Sequence, residues 1–359
     1  MTFNSMGIAQ YMGRGALISA SMNSRFGNAL LALLLAVCCS CLSTRSDAPL
    51  PTVRGPLPTR IQQPVSLTRL SFRPRRPVAQ QRGSGWYEVQ GAYTSIFEVD
   101  QLPGERVGLD GEYGRVTARG RWALGEQADL EVEVPVQYAT SGFLDSLVNS
   151  FHAFFNLPVG GRTKAEDDQY EMRLRRNGQT VWSLDENELA LGDVPLVYTR
   201  VLRREDEQGP GLAWRIGLEL PLGDESVGVG SGGVDGGLGL IGERNLGRWT
   251  LSGAVDLLWA ATPDSFAGAP TEFGEQLCLQ FGSEYRWTDH LSLLGQLVWA
   301  SSPVTGYELE EIDAEIIDLG LGAAWDLAAG QRLFCSFHED LVAAAGGDFG
   351  IMFGWSCGN

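Results

Sequence analysis

Stretch after stretch of this chain alternates apolar and polar residues, and most of these stretches begin or end on an aromatic. From Trp249 to Trp259 the rule is plain. Trp249, Leu251, Gly253, Val255, Leu257 and Trp259 fall on one face, with Thr250, Ser252, Ala254 and Asp256 on the other. Successive strand side chains point to opposite faces, so this segment has one apolar and one wet face. A soluble sandwich would alternate too. Trp and Tyr at the ends of the apolar face are what a membrane–water interface selects. The pattern predicts an all-β fold: a single antiparallel up-and-down transmembrane β-barrel of 12–14 strands over residues 85–359.

Candidate strands lie near 86–97, 106–118, 128–138, 169–176, 179–186, 193–203, 211–221, 235–245, 248–260, 275–287, 290–301, 315–327, 332–340 and 348–357. Twelve of these fourteen remain if the hairpin at Asn177-Gly178 stands outside the barrel. Short links occur at Asn177-Gly178, Asn245-Leu246-Gly247, Thr288-Asp289 and Ala328-Ala329-Gly330. Long ones occur at 139–168, 222–234, 261–274 and 302–314. Counted from a periplasmic N-terminus, every long link falls outside and every short one inside, as in outer-membrane barrels. Expected outward faces include Leu212, Trp214, Ile216, Leu218 and Leu220, and Phe349, Ile351, Phe353 and Trp355 on the last strand. Expected inward residues include Glu131, Glu133, Arg215, Glu219, Asp256, Gln280, Glu284, Arg286, Gln296, Asp318 and Asp326. Charges like these are costly against lipid and imply a polar lumen. Inward glycines such as Gly282, Gly320 and Gly322 imply that the wall passes close to something inside.

The net charge of −17 argues against a nucleic-acid partner. One short apolar run, Ala29 to Leu42, follows Arg25 and reads as a signal peptide over residues 1–41, with Met22 a candidate true start. Cys38 and Cys41 are lipidation candidates, weighed against plain signal cleavage. From Ala48 to Tyr87 no acidic residue occurs, while Arg54, Arg60, Arg69, Arg73, Arg75, Arg76 and Arg82 recur among prolines. Residues 42–84 are therefore expected to be a disordered basic periplasmic tether, solvated or resting on anionic lipid or polymer. Cys335 and Cys357 could bridge in an oxidising compartment, but an estimated register offset leaves them free by default.

Several motifs then stand out. They are Leu109-Asp110-Gly111-Glu112, Gly142-Phe143-Leu144-Asp145, Phe151-His152-Ala153-Phe154-Phe155 leading to Gly160-Gly161-Arg162, Leu191-Gly192-Asp193, Gly230-Ser231-Gly232-Gly233-Val234-Asp235 and His338-Glu339-Asp340. On these the chain resembles an uncharacterised family of Gram-negative outer-membrane proteins, domain of unknown function 3187, over most of residues 85–357. The Leu220-Pro221-Leu222-Gly223-Asp224 piece is similar to barrels associated with degradation or uptake of aromatic compounds, where a Thr usually follows the proline. The resemblance implies a barrel and an outer-membrane location, and no established activity. Membrane lipids and the barrel-assembly machinery that inserts such chains are the expected partners, with small solutes as candidates.

Leu144, Leu147, Val148, Phe151, Phe154 and Phe155 recur at helical spacing, so 142–156 should form an amphipathic helix in a long external loop. Asp145, Asn149 and His152 share its polar stripe. The expected position is across the mouth or in the lumen, with the stripe meeting Arg215 or Arg286; with Arg162 these residues are the candidate gate. A hydrolase built on His152, Asp145 and Ser146 is the third reading, since Ser146 sits badly for His152. His290 and His338 have no metal-ligand spacing, and the glycine-rich 228–239 run is not followed by the Lys and helix of a phosphate loop. No cofactor is implied. Glu308, Glu310, Glu311, Asp313 and Glu315 form an acidic loop that, with an acidic lumen, would favour cations. The functional expectation is a channel or uptake barrel for small solutes gated by the helix, with a plugged, non-transporting envelope scaffold as the alternative.

Overall fold

A computed structural model describes residues 53–155, 162, 165–263, 272–302, 304–307, 309–328, 330–341 and 346–358. The expected signal peptide and the lipidation candidates Cys38 and Cys41 lie outside the described residues. The strands are β1 (Gly85–Leu102), β2 (Glu105–Ala123), β3 (Ala128–Thr140), β4 (Glu171–Arg176), β5 (Gln179–Ser183), β6 (Leu189–Leu191), β7 (Val194–Arg203), β8 (Gly211–Leu220) and β9 (Asp235–Leu246). They continue as β10 (Trp249–Trp259), β11 (Glu272–Phe273), β12 (Glu275–Arg286), β13 (Leu291–Ala300), β14 (Val304–Thr305), β15 (Ile316–Ala328), β16 (Gln331–Asp340) and β17 (Phe349–Gly358). One helix of length, α1 (Asp145–Phe155), falls where its apolar spacing predicts.

The sheet closes on itself. β1 pairs with β17 from Trp86↔Gly358 to Ser95↔Phe349, and on its other edge with β2. β2 pairs with β3 and β3 with β7, so β1–β3, β7–β10, β12, β13 and β15–β17 form a closed antiparallel barrel of twelve strands. Closure leaves no open edge to face hydrocarbon. The wall alternates as expected. In β8, Leu212, Ile216 and Leu218 are exposed, while Ala213, Arg215 and Glu219 are buried.

The Asn177-Gly178 hairpin, β4–β5, lies outside the barrel ring. β4 adds only to one end of β2, from Glu105↔Arg176 to Asp110↔Glu171, and the Asn177 amide donates to the Gly104 carbonyl. Asn177 and Gly178 both have positive φ (49° and 78°), as a two-residue hairpin turn of this hand requires. This turn therefore sits at the long-loop end of the wall. The expectation that placed it among the short inner links fails because a two-residue turn marks a hairpin, not the rim that carries it. Register separates the terminal cysteines as well: Cys335 faces Phe353 and Cys357 faces Gln331, so they do not bridge each other; Cys335 is free, while Cys357 is disulfide-bonded, against the expectation that both are free.

Candidate functional site

The barrel's interior is filled by its own N-terminal segment. Residues 53–80, expected to be a disordered tether, run inside the wall almost wholly buried. Starting at the rim of short turns, the Arg54 and Gly55 amides donate to the Glu284 carboxylate, and the Arg54 side chain reaches Asp326 at 2.6 Å and Ser292 at 3.0 Å. The chain then climbs. Leu57 packs with Leu294, Ala324, Phe334 and Met352, and Ile61 with Cys278, Val298 and Ile316. A 3-10 turn at Ser66–Thr68 forms the apex, where Val65 and Leu67 join an apolar cluster under the long-loop rim.

The descending leg is held by charge. The Leu70 amide donates to Asp235, and Arg73 makes a two-pronged pair with Glu133 (2.9 and 3.0 Å). Arg75 pairs the same way with Asp129 (both 3.0 Å), and Arg76 with Glu243 at 2.7 Å. Phe72 lies at the paired inward positions Gly217↔Gly237, where a Cβ at either glycine would run into its ring. A Cβ at Gly282 would approach Pro56, and one at Gly320 would approach Thr59. These glycines are where the wall admits the plug.

The tether expectation is thus corrected for residues 53–80, and the reason is physical. A segment without enough apolar surface cannot fold alone. Here the barrel supplies both the apolar contacts and the carboxylates, and buried guanidinium groups persist because each finds a partner in a dry wall. Arg69 is an exception: it is 3% exposed and stacks over Phe273, yet its Nε and Nη1 have no hydrogen-bond partner.

The inward charges predicted from the alternation nearly all line this site. Glu131 is shared by Arg121 (3.1 Å), Arg119 (3.3 Å) and Arg75 (3.8 Å). Glu133 receives Arg115 as well as Arg73, and Glu219 has Arg60 at 3.9 Å with its other oxygen unpartnered. Arg215 pairs with Asp256 at 2.7 Å and also donates to the Arg73 carbonyl. Gln280 donates to the Phe72 carbonyl, Asp318 pairs with His338, and Asp326 bridges Arg54 and Arg332. Arg286 stands at the rim, capping the turn through the Gly247 carbonyl.

Above the apex, long-loop residues close over the lumen. Leu174, Val181, Trp182, Val229, Val304 and Leu309 pack in the same cluster as Val65 and Leu67. Asp193 ties the 222–234 loop to this cap by accepting from the Gly223 and Ser231 amides; burial pushes its carboxyl up, against those hydrogen bonds.

The helix is elsewhere. Leu144, Val148 and Phe151 pack on Tyr93, Phe337, Phe349 and Ile351. Register puts Tyr93, Ile351 and Phe337 on one face, shared with Phe353 and Trp355, which is the outside of the wall. The expected placement across the mouth is therefore overturned, and the polar stripe does not meet Arg215 or Arg286. Asp145 instead pairs with Arg162 and accepts from the Asp168 amide at 2.7 Å. Arg162 also holds Asp348 at 2.6 Å, and His152 sits 3.2 Å from Glu339. Asn149 is half-buried with its Oδ1 unpartnered. Because Asp145 is engaged by Arg162 and Ser146 is exposed while His152 is buried, the hydrolase trio is not assembled. Part of the predicted stripe, Leu144, Val148 and Phe151, packs on the apolar exterior of the barrel, while Leu147, Phe154 and Phe155 stay exposed.

What the sequence reading missed is the set of plug arginines as lumen ligands, together with wall residues Arg115, Arg119 and Arg121. A signal existed: an acid-free arginine run precedes a lumen rich in carboxylates.

Comparisons agree with this architecture. The structure is similar to the COG4313 outer membrane channel from Pseudomonas putida F1, at 15% identity and a TM-score of 0.54, covering 80% of this chain and 100% of that one. Lower similarity is found to the KdgM porin (9% identity, TM-score 0.39, 76% and 98% covered) and to the Pseudomonas putida toluene transporter TodX (12%, 0.36, 83% and 92%). No curated protein matches the chain. The family model described as protein of unknown function (DUF3187) matches residues 31–358, and with its closed twelve-strand barrel the chain belongs to that family.

Proposed function

We propose that the protein is an outer-membrane channel for small solutes, held shut in this state by residues 53–80. One observation carries the reading: a polar, charge-lined lumen is occupied by a strandless segment whose two legs both lead back to the short-turn rim. A segment so attached can withdraw as a loop without breaking any wall pairing. Partly unmatched groups such as Arg69 and the Glu219 Oε2 make the filled state less favourable than full pairing would, each unsatisfied group costing about 1–3 kcal/mol. On withdrawal Glu133, Asp129, Glu243, Glu284 and Asp326 lose their plug partners, so an open lumen would favour cations.

The test is conductance in a planar bilayer of the full chain and of a variant lacking 53–80. Discrete cation-selective steps from the deletion variant, with the full chain closed most of the time, are expected. Silence from both, with barrels shown folded by heat-dependent gel mobility, sinks the channel and leaves the plugged scaffold.

A further inference from the structure

Among the described residues, nothing covers the exposed side of α1. Leu147 (51% exposed), Phe154 (81%) and Phe155 (58%) lie on its exposed side, while Phe143, just before the helix, stacks on Tyr93 of the wall. The polar residues Asp145 and His152 are turned inward and buried. A helix facing water would be arranged the other way, with its phenylalanines covered and its charges out.

The setting names the partner. α1 lies on the outer wall over Tyr93, Phe337, Phe349 and Ile351. That surface continues down β17 through the exposed Phe353 to Trp355, the face that meets hydrocarbon in a membrane barrel. Beneath and beside α1 the wall carries outward carboxylates that would be unfavourable against acyl chains, and the helix segment covers them. Glu112 on β2 accepts the Phe143 and Leu144 amides at the helix start, and Glu339 on β16 meets His152. The segment thus hides the wall's charges and offers phenylalanines in their place.

We propose that α1 is a lipid-embedded collar, lying in the plane of the outer-leaflet interface with its Leu147, Phe154 and Phe155 side among acyl chains. This holds whether or not the lumen conducts, so it stands apart from the channel reading.

The test uses the full chain carrying fluorotryptophan in phosphatidylcholine vesicles, read by fluorine NMR. Phe154→Trp adds one resonance absent from the parent. A nitroxide on the lipid acyl chain near the headgroup is expected to broaden that resonance several-fold more than a water-soluble nickel chelate does. Leu222→Trp, on a long loop and 58% exposed, should show the opposite order. Broadening of Trp at 154 mainly by the chelate overturns the proposal, as does protection from both probes; protection with concentration-dependent crosslinking into dimers assigns the face to a second copy. Leu147→Trp, on the same face, gives the same reading should the first variant not fold.

Discussion

Replacing Arg73 by Met probes the plug at its best-matched contact. The guanidinium makes a two-pronged pair with Glu133 (3.0 and 2.9 Å) and donates to the Pro58 carbonyl at 2.9 Å, all of it buried. Methionine keeps the length of the stem and removes every donor. Taking one partner from a buried pair costs about 3–5 kcal/mol when the other charge is stranded. Glu133 is not stranded, since Arg115 stays at 2.8 Å and Arg60 at 3.6 Å, so about 2–3 kcal/mol is the better figure. In the withdrawn state Glu133 is wet and Arg73 has left, so the loss falls on the closed state alone. That shifts the closed-to-open ratio about 30- to 150-fold toward open. Single-channel recording measures it as closed dwell time, and a cycle with Glu133→Gln and the double variant isolates the pair. A closed dwell time within about twofold of the parent would refute the reasoning, because a change of that size amounts to less than 0.5 kcal/mol.

Three further outcomes follow from the same geometry. Gly217→Val places a methyl-bearing Cβ in the Phe72 ring, and overpacking costs about 1–3 kcal/mol, so open probability should rise; adding Phe72→Ala should cancel the rise, as single-channel recording will show. Thr59→Cys with Gly320→Cys puts two sulfurs within bridging reach of plug and wall, the Thr59 methyl lying 3.3 Å from a Cβ at 320; the oxidised double variant should stay shut, and reductant should restore the parent's gating. Deleting 143–155 should leave the closed state closed in the same recordings, since α1 packs on the outer wall and not on residues 53–80, while lowering the heat needed to change gel mobility.

How the chain would fold was written mostly in local pattern. Strand period, aromatic ends and turn residues each depend on near neighbours, so the barrel strands, their facing parity and α1 itself could be read directly from the residues. The inward glycines were also legible: Gly282 and Gly320 pointed to something close inside before Pro56 and Thr59 were seen there. What fills the lumen was not legible. Arg73 and Glu133 are far apart in sequence, and the value of each depends on a dry enclosure that exists only once twelve strands have closed. Taken alone, 53–80 has too little apolar surface to hold a structure, and so it reads as disordered. The helix failed for a related reason. Its period fixed which side is apolar, but two apolar surfaces were available, and the choice of the outer wall rested on Phe337, Phe349 and Tyr93 being brought together there by strand register. Sequence alone determined the elements and their faces. The tertiary structure decided which charges meet, because pairing and burial energies belong to the closed barrel and to no segment of it.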